Sequence, residues 1–348
     1  MHSWRARVCH SVDMPSRLLL SACAALALSS CAPRLQPSFD PAVQPRADDL
    51  GPHGDLMEWW YLSGYLPAQK LAFHWAQFKV SPPNFPTDVF FSHVAVTDLT
   101  TGKVTFLEQN ESPQLGTGKA SYPPLKLRDG DWTFEQTVSG PRGEFKLDAG
   151  PLRLTLLPQK PPVIHPPGYS GVPELTGAMY YQSITRLGMQ GTVAGKDVTG
   201  GVAWLDHQWG GMSAGTQARW DWLSAHMDGG EDLMLYRVLL PDGKVVQTFG
   251  TITDQAGQVR AATNVVMEPG RVWKSATGRD YVLDWHVRAG EFDLNVEAAH
   301  DDQELVSKGT RIVYWEGPVE LSGTWRGQPG QGSGMMELVA GSLDSRRR

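Results

Sequence analysis

Cysteine is scarce in this chain of 348 residues: Cys9, Cys23 and Cys31 are all there are, and all fall in the first 31 positions. The body can therefore carry neither a disulfide framework nor a cysteine-rich metal site. A basic excess is also missing. Lys and Arg total 31 against 37 Asp and Glu, a net charge of −6, which argues against a nucleic-acid partner. No phosphate-cradling loop or Rossmann fingerprint occurs, so no nucleotide cofactor is implied. No spacing has the signature of a metal site, so neither a metal nor any other cofactor is expected. No long segment has a convincing helical period.

What is present is an ample apolar share, 41%, with 13 Trp, 9 Tyr, 37 Gly and 25 Pro. That excludes a disordered chain and suggests a turn-rich β protein, and the length suits two domains. Near the N-terminus Arg17 precedes the apolar run Leu18–Leu28. It fits a signal-peptide core and is too short for a membrane span. The run ends in Leu28-Ser29-Ser30-Cys31, which matches a bacterial lipobox. Residues 1–30 are expected to be a lipoprotein signal peptide, with Cys31 lipidated. The protein would then be exported to the bacterial cell envelope and anchored to a membrane through acyl chains. Pro33, Pro37, Pro41 and Pro45 make residues 31–50 an extended tether.

The remainder reads as a duplication. Trp59-Trp60-Tyr61-Leu62-Ser63-Gly64 returns as Trp220-Asp221-Trp222-Leu223-Ser224-Ala225, and Val96–Val104 returns as Ile252–Val259. Gly191-Thr192-Val193 matches Gly323-Thr324-Trp325, and Gly201–Trp204 loosely matches Gly334–Glu337. The matches stay in order. Each copy is a series of short alternating or β-branched runs, among them 70–80, 89–98, 144–157, 232–240, 310–316 and 319–325. This predicts an all-β protein of two tandem lipocalin-like antiparallel β-barrels, residues 51–212 and 213–343, with a pair of sandwiches as the alternative. The Pro-rich stretch 158–173 reads as a long loop inside the first copy or as a linker.

Several motifs stand together: His53-Gly54-Asp55 with Glu58-Trp59-Trp60-Tyr61, Trp204-Leu205-Asp206-His207-Gln208-Trp209-Gly210, Trp220-Asp221-Trp222, Tyr314-Trp315-Glu316-Gly317, and Glu337-Leu338. In these the chain resembles the AttH/CrtC family of two-lipocalin-domain proteins, often labelled secreted hydrolases, over about residues 51–341. The family includes carotenoid 1,2-hydratases and fungal hydratases. The resemblance implies a hydrophobic, isoprenoid- or lipid-like small-molecule ligand and, as one activity, hydration of an isolated C=C bond.

Hydrating such a bond needs a proton donor, a surface that stabilises the cation, and a base for water. A buried carboxylic acid, an aromatic face and a His can supply them. Asp206, His207 and Trp209 offer all three within four residues. On a strand, however, Asp206 and Trp204 face one side, and His207 and Trp209 the other. The resemblance implies His207 and Trp209 as the site-lining pair, with Asp206 a partner at the domain junction. It also implies an acid on an early strand of the second domain. Here Leu233–Leu239 carries Arg237 and no carboxylate, so Asp221 or Glu316 would have to substitute.

The candidate catalytic residues are thus His207, Asp206 and Asp221. The candidate substrate-binding residues are Trp209, Trp220, Trp222, Trp59, Tyr61 and Tyr236. His74 and His93 would form a three-histidine metal group only if both faced inward with His207. Asp55 and Glu58 either close the barrel as a polar cluster or touch substrate. The expected protein is a monomer binding an apolar molecule, catalytically or not. A lipid carrier and a structural envelope lipoprotein are the rivals.

Overall fold

Two kinds of strand build the protein. Lys126–Asp129, Phe145–Ala149 and Phe292–Ala298 alternate buried and exposed residues, so one face is in water. Met57–Leu66, Leu71–Val80 and Asp232–Leu239 are buried at nearly every position, so both faces are covered. This computed structural model describes residues 45–342 except 47, 85, 111–117, 139–142, 213–217 and 310–311. The expected signal peptide, Cys31, most of the tether and the stretch 213–217 at the expected domain boundary lie outside the described residues.

The strands form two large antiparallel sheets. The first runs from Lys103–Asn110 through Val89–Asp98, Leu71–Val80, Met57–Leu66, Val202–Met212 and Gly177–Val193 to Leu152–Pro158, and on through four short strands. The second runs from Val259–Ala261 through Val245–Thr253, Asp232–Leu239, Arg219–Met227, Gln328–Ser342 and Ile312–Trp325 to Phe292–Ala298, and ends in two more. In both, the first strand lies between the second and the last, as tandem lipocalin-like barrels require. The described residues contain one helical element, the 3₁₀ turn Pro67–Gln69. Side chains curl the first sheet on itself: Ser92 Oγ donates to Asp129 Oδ2 at 2.7 Å and Gln77 Nε2 to the Arg128 carbonyl at 3.3 Å.

Each curled sheet encloses a core, one around Trp60, Trp75 and Phe134, the other around Trp285, Trp315 and Phe292. A third cluster joins the sheets: Tyr61, Tyr65, Tyr181 and Trp204 from the first meet Trp222, Met234, Tyr236 and Met335 from the second. This junction explains the doubly buried strands.

Four sequence readings need correction. The run 144–157 is a hairpin, broken at Gly150 (φ +53°), where a turn needs the left-handed conformation. The Pro-rich stretch 158–173 is not a loop. It contains the strand Val163–Ser170, whose register slips between Ile164 and Tyr169 around Pro166 and Pro167. The runs 310–316 and 319–325 belong to a single strand, Ile312–Trp325. Pro318 is tolerated because it stands where one neighbour, Glu304–Val306, gives way to the next, Phe292–Ala298. Finally, Trp204 lies opposite Ser63 and Met335 opposite Ser224, so the counterpart of Trp204 is Met335 and the counterpart of Asp206 is Glu337.

Candidate active site

The register of the last strand in each sheet aims an acid at the junction. Asp206 lies opposite Tyr61 and Ser183 in the first sheet. Glu337 lies opposite Trp222 and Glu316 in the second. Asp206 is fully held: Tyr181 Oη donates to it at 2.8 Å, and Ser183 Oγ and Trp204 Nε1 also donate. Trp222 Nε1 in turn donates to Tyr181 Oη at 2.7 Å. Behind Ser183 is the buried ring of His165, 2.7 Å from Ser183 Oγ and 2.7 Å from Thr251 Oγ1 of the second sheet. Burial alone pulls His165 down to about 3, so it is a neutral link between the sheets.

Three carboxylates in one apolar junction cannot all ionise freely. Burial pushes Asp206 up to about 7, against its three hydrogen bonds. Burial, reinforced by the negative charge of Glu316, pushes Glu337 up to about 8. Its one opposing contact is Trp220 Nε1, which donates to Oε2 at 3.0 Å. Glu316 accepts from Tyr61 Oη and lies 3.1 Å from His74 Nδ1. Asp206 and Glu316 are buried, whereas Glu337 keeps some accessible surface. Trp220 is also a wall of a narrow cleft of about 20 Å³, lined with Trp59, Ser170, Met179, Tyr236 and Val238. That volume holds about one water. A wider open groove, about 410 Å³, lies beside Pro166, Pro167 and Phe249, and no titratable side chain lines it.

Of the candidate residues, Asp206, Trp59, Tyr61, Trp220, Trp222 and Tyr236 come together here. His207 and Trp209 do not, because they point to the other face of the same strand. His207 is buried, with Nδ1 2.7 Å from the Asp49 carbonyl and Nε2 2.8 Å from Glu58 Oε1. Trp209 stacks on His53 at 4.1 Å. Asp221 does not reach the junction either. Period-two alternation places it on the inner face of the second sheet, paired with Arg237, whose guanidinium lies over Trp285 at 4.6 Å. His74 and His93 face the junction, away from His207, so no three-histidine group forms.

Glu58 is the centre of a separate cluster. Burial acts to raise its pKa, but hydrogen bonds from His207 and His53, with the charges of His207 and Lys79, hold it at about 2. His53, Glu58 and His207 place three ligand atoms within 4.8 Å of one another, a spacing a metal could use. Lys79 Nζ, 3.1 Å from Glu58 Oε2, already supplies a cation, and each ligand atom has a hydrogen-bond partner. The group fits a polar cluster that closes the barrel, the first of the two readings of Glu58. Sequence reasoning named Glu337 only within the motif Glu337-Leu338 and gave it no role at the site. The signal was there, a lone carboxylate in the apolar run Met335-Met336-Glu337-Leu338-Val339.

A sequence model of one protein family, AttH-like, matches residues 41–342. The chain belongs to the AttH-like family. Kievitone hydratase of Fusarium solani subsp. phaseoli is 28% identical over 173 residues, 45% of this chain and 47% of that one, so the chain matches about half the relative's length. Among solved structures, an AttH of Nitrosomonas europaea is 30% identical, with 87% of this chain and 99% of that one covered and a TM-score of 0.71. The kievitone hydratase of Nectria haematococca, at 18% identity, covers 88% of this chain and 94% of its own with a TM-score of 0.65, a likeness of fold. The junction acids described above are thus carried on an AttH-like scaffold.

The raised acids make stability pH-dependent. Asp206 and Glu337 keep in the folded state protons that the unfolded chain, with carboxyls at their ordinary 3.8 and 4.5, releases. Their contribution is complete below about pH 4 and is lost as pH rises through 7 to 8. At about 1.4 kcal/mol per pKa unit, the fall amounts to several kcal/mol. Urea midpoints measured from about pH 6.5 to pH 9, above the range in which the buried neutral His93 and His165 act in the opposite direction, should decline, and Asp206→Asn should flatten the decline. A midpoint constant across that range would contradict the raised acids.

Proposed function

We propose that this protein hydrates an isolated C=C bond of an apolar, isoprenoid-like small molecule at the sheet junction. The observation that carries the reading is Glu337: a carboxyl kept protonated near neutral pH and hydrogen-bonded to a tryptophan of the cleft wall. Glu337 gives its proton to one alkene carbon, and the π electrons form the new C–H bond. The cation left on the neighbouring carbon faces Trp59, Trp220 and Tyr236, whose rings stabilise positive charge. Water then forms the C–O bond, and its released proton returns to the Glu316/Glu337 pair, which again holds one. The similarity to kievitone hydratase supports this class of reaction. Substrate enters as Trp59 and Trp220 turn aside, because the cleft at rest has room for about one water.

Asp221→Asn provides a control. Its side chain is on the far face, so activity per folded molecule should match wild type with kievitone or an acyclic carotenoid as probe. An activity loss matching that of a Glu337 variant would place the acid on the wrong face. Tight binding of both probes without turnover would favour a carrier, a reading the open groove beside Pro166 and Phe249 supports. We further propose that the protein is a lipid-anchored envelope protein, on the strength of Leu28-Ser29-Ser30-Cys31. Cys31→Ser should release it from the membrane fraction. A variant that still sediments with membranes would overturn the anchor.

A further inference from the structure

Four groups not used in that chemistry run from the acid pair toward the surface. His74 Nδ1 lies 3.1 Å from Glu316 Oε1. The Tyr314 hydroxyl lies 3.5 Å from His74 Nε2 and 3.3 Å from His93 Nδ1. His93 Nε2 lies 3.5 Å from Glu108 Oε1. His74, Tyr314 and His93 are 2%, 5% and 3% exposed, and Glu108, whose side chain is 13% exposed, forms the outer end. There Ser307 Oγ and the Lys308 amide donate to the Glu108 carboxylate. Phe78, Phe91 and Phe106 pack around the His93 ring as an apolar sleeve. His93 Nε2 is buried with no hydrogen-bond partner, an arrangement that costs stability.

We propose that His74, Tyr314 and His93 are a proton relay between Glu108 at the surface and the Glu316/Glu337 acid pair. This inference rests on the reading of that pair as the acid of the site. One polarity runs through every link once Glu108 holds a proton. His74 Nδ1–H donates to Glu316, Tyr314 O–H donates to His74 Nε2, His93 Nδ1–H donates to Tyr314, and His93 Nε2 presents a lone pair to Glu108. A proton arriving on Glu108 passes to His93 Nε2. His93 then releases its Nδ1 proton to Tyr314, Tyr314 its proton to His74 Nε2, and His74 its Nδ1 proton to Glu316. Each relay group gains one proton and loses one, and the acid pair is charged by one. Burial keeps His93 down at about 3, so the ring is neutral and accepts the proton only in passing.

The test does not depend on turnover. The protonated carboxyl of the pair should give an infrared C=O band, identified by its loss in Glu337→Gln, and its shift after transfer to D2O reports proton exchange with solvent. In Tyr314→Phe, which removes only the hydroxyl, exchange should slow about a hundredfold, the lower end of what a positioned proton-transfer group contributes. His93→Phe and Glu108→Gln should slow it likewise, with the band frequency unchanged as a sign that the acids are undisturbed. Wild-type exchange rates in Tyr314→Phe and Glu108→Gln would overturn the relay alone. A wild-type protein with no such band would overturn the acid pair, and the relay with it.

Discussion

Glu337→Gln should reduce hydration turnover about 10²–10⁴-fold, the usual worth of a positioned general acid, without unfolding the protein. Glutamine keeps the shape and can still accept from Trp220 Nε1. It removes the proton that the chemistry needs, and it also removes the cost of keeping a carboxyl protonated in the fold at about pH 7. The melting temperature should therefore hold or rise while turnover collapses. Parallel assays of wild type and variant, each with a thermal melt, check this. Equal turnover in the two proteins would take Glu337 out of the mechanism.

The second large effect concerns the clasp between the sheets. Asp232, buried at the start of its strand, is 2.8 Å from Lys160 Nζ and 2.6 Å from Arg186 of the first sheet, and 2.9 Å from His226 Nδ1. Burial acts to raise its pKa, but the His226 hydrogen bond and the charges of His226, Arg186 and Lys160 hold it at about 2. Asp232→Ala leaves the buried Lys160 ammonium with only the Gly230 and Thr253 carbonyls. Removing one partner of a buried pair costs about 3–5 kcal/mol. Urea unfolding at pH 7 should show a loss of that size, and a loss under about 1 kcal/mol would mean the cluster is solvated. The sign with pH is opposite to that of the junction acids. The stabilisation by Asp232 is present above its ordinary 3.8 and is lost as pH falls toward 2, so the penalty of the variant should shrink in acid.

Strands that face water on one side were legible because their residues alternate, as in Phe292–Ala298. The two-copy order was legible because Trp59–Gly64 returns as Trp220–Ala225. Faces were harder to read where both sides of a strand are buried. In Trp59-Trp60-Tyr61-Leu62 every residue is apolar or aromatic, so nothing local says which ones meet the barrel core and which the second sheet. The separation of Asp206 from His207 followed from period two alone. Which of them faced the other sheet did not, and the junction proved to be on the side of Asp206. Asp221 failed for the same reason, one position away from the junction residues Trp220 and Trp222. The Glu316/Glu337 pair needs the register of two long strands, which is set by long-range packing. Glu316 was one of the two substitute acids named from the sequence, and the isolated carboxylate in an apolar strand was the local trace of its partner.

The central claim is that Glu337 is a neutral acid at the junction when the protein works. A pH titration of the full chain with 13C-labelled glutamate side chains, the Glu337 resonance assigned by its loss in Glu337→Gln, measures this directly. The account predicts a carboxyl that titrates near 8, well above the ordinary 4.5 of glutamate. A Glu337 carboxyl already ionised at pH 6 would contradict it.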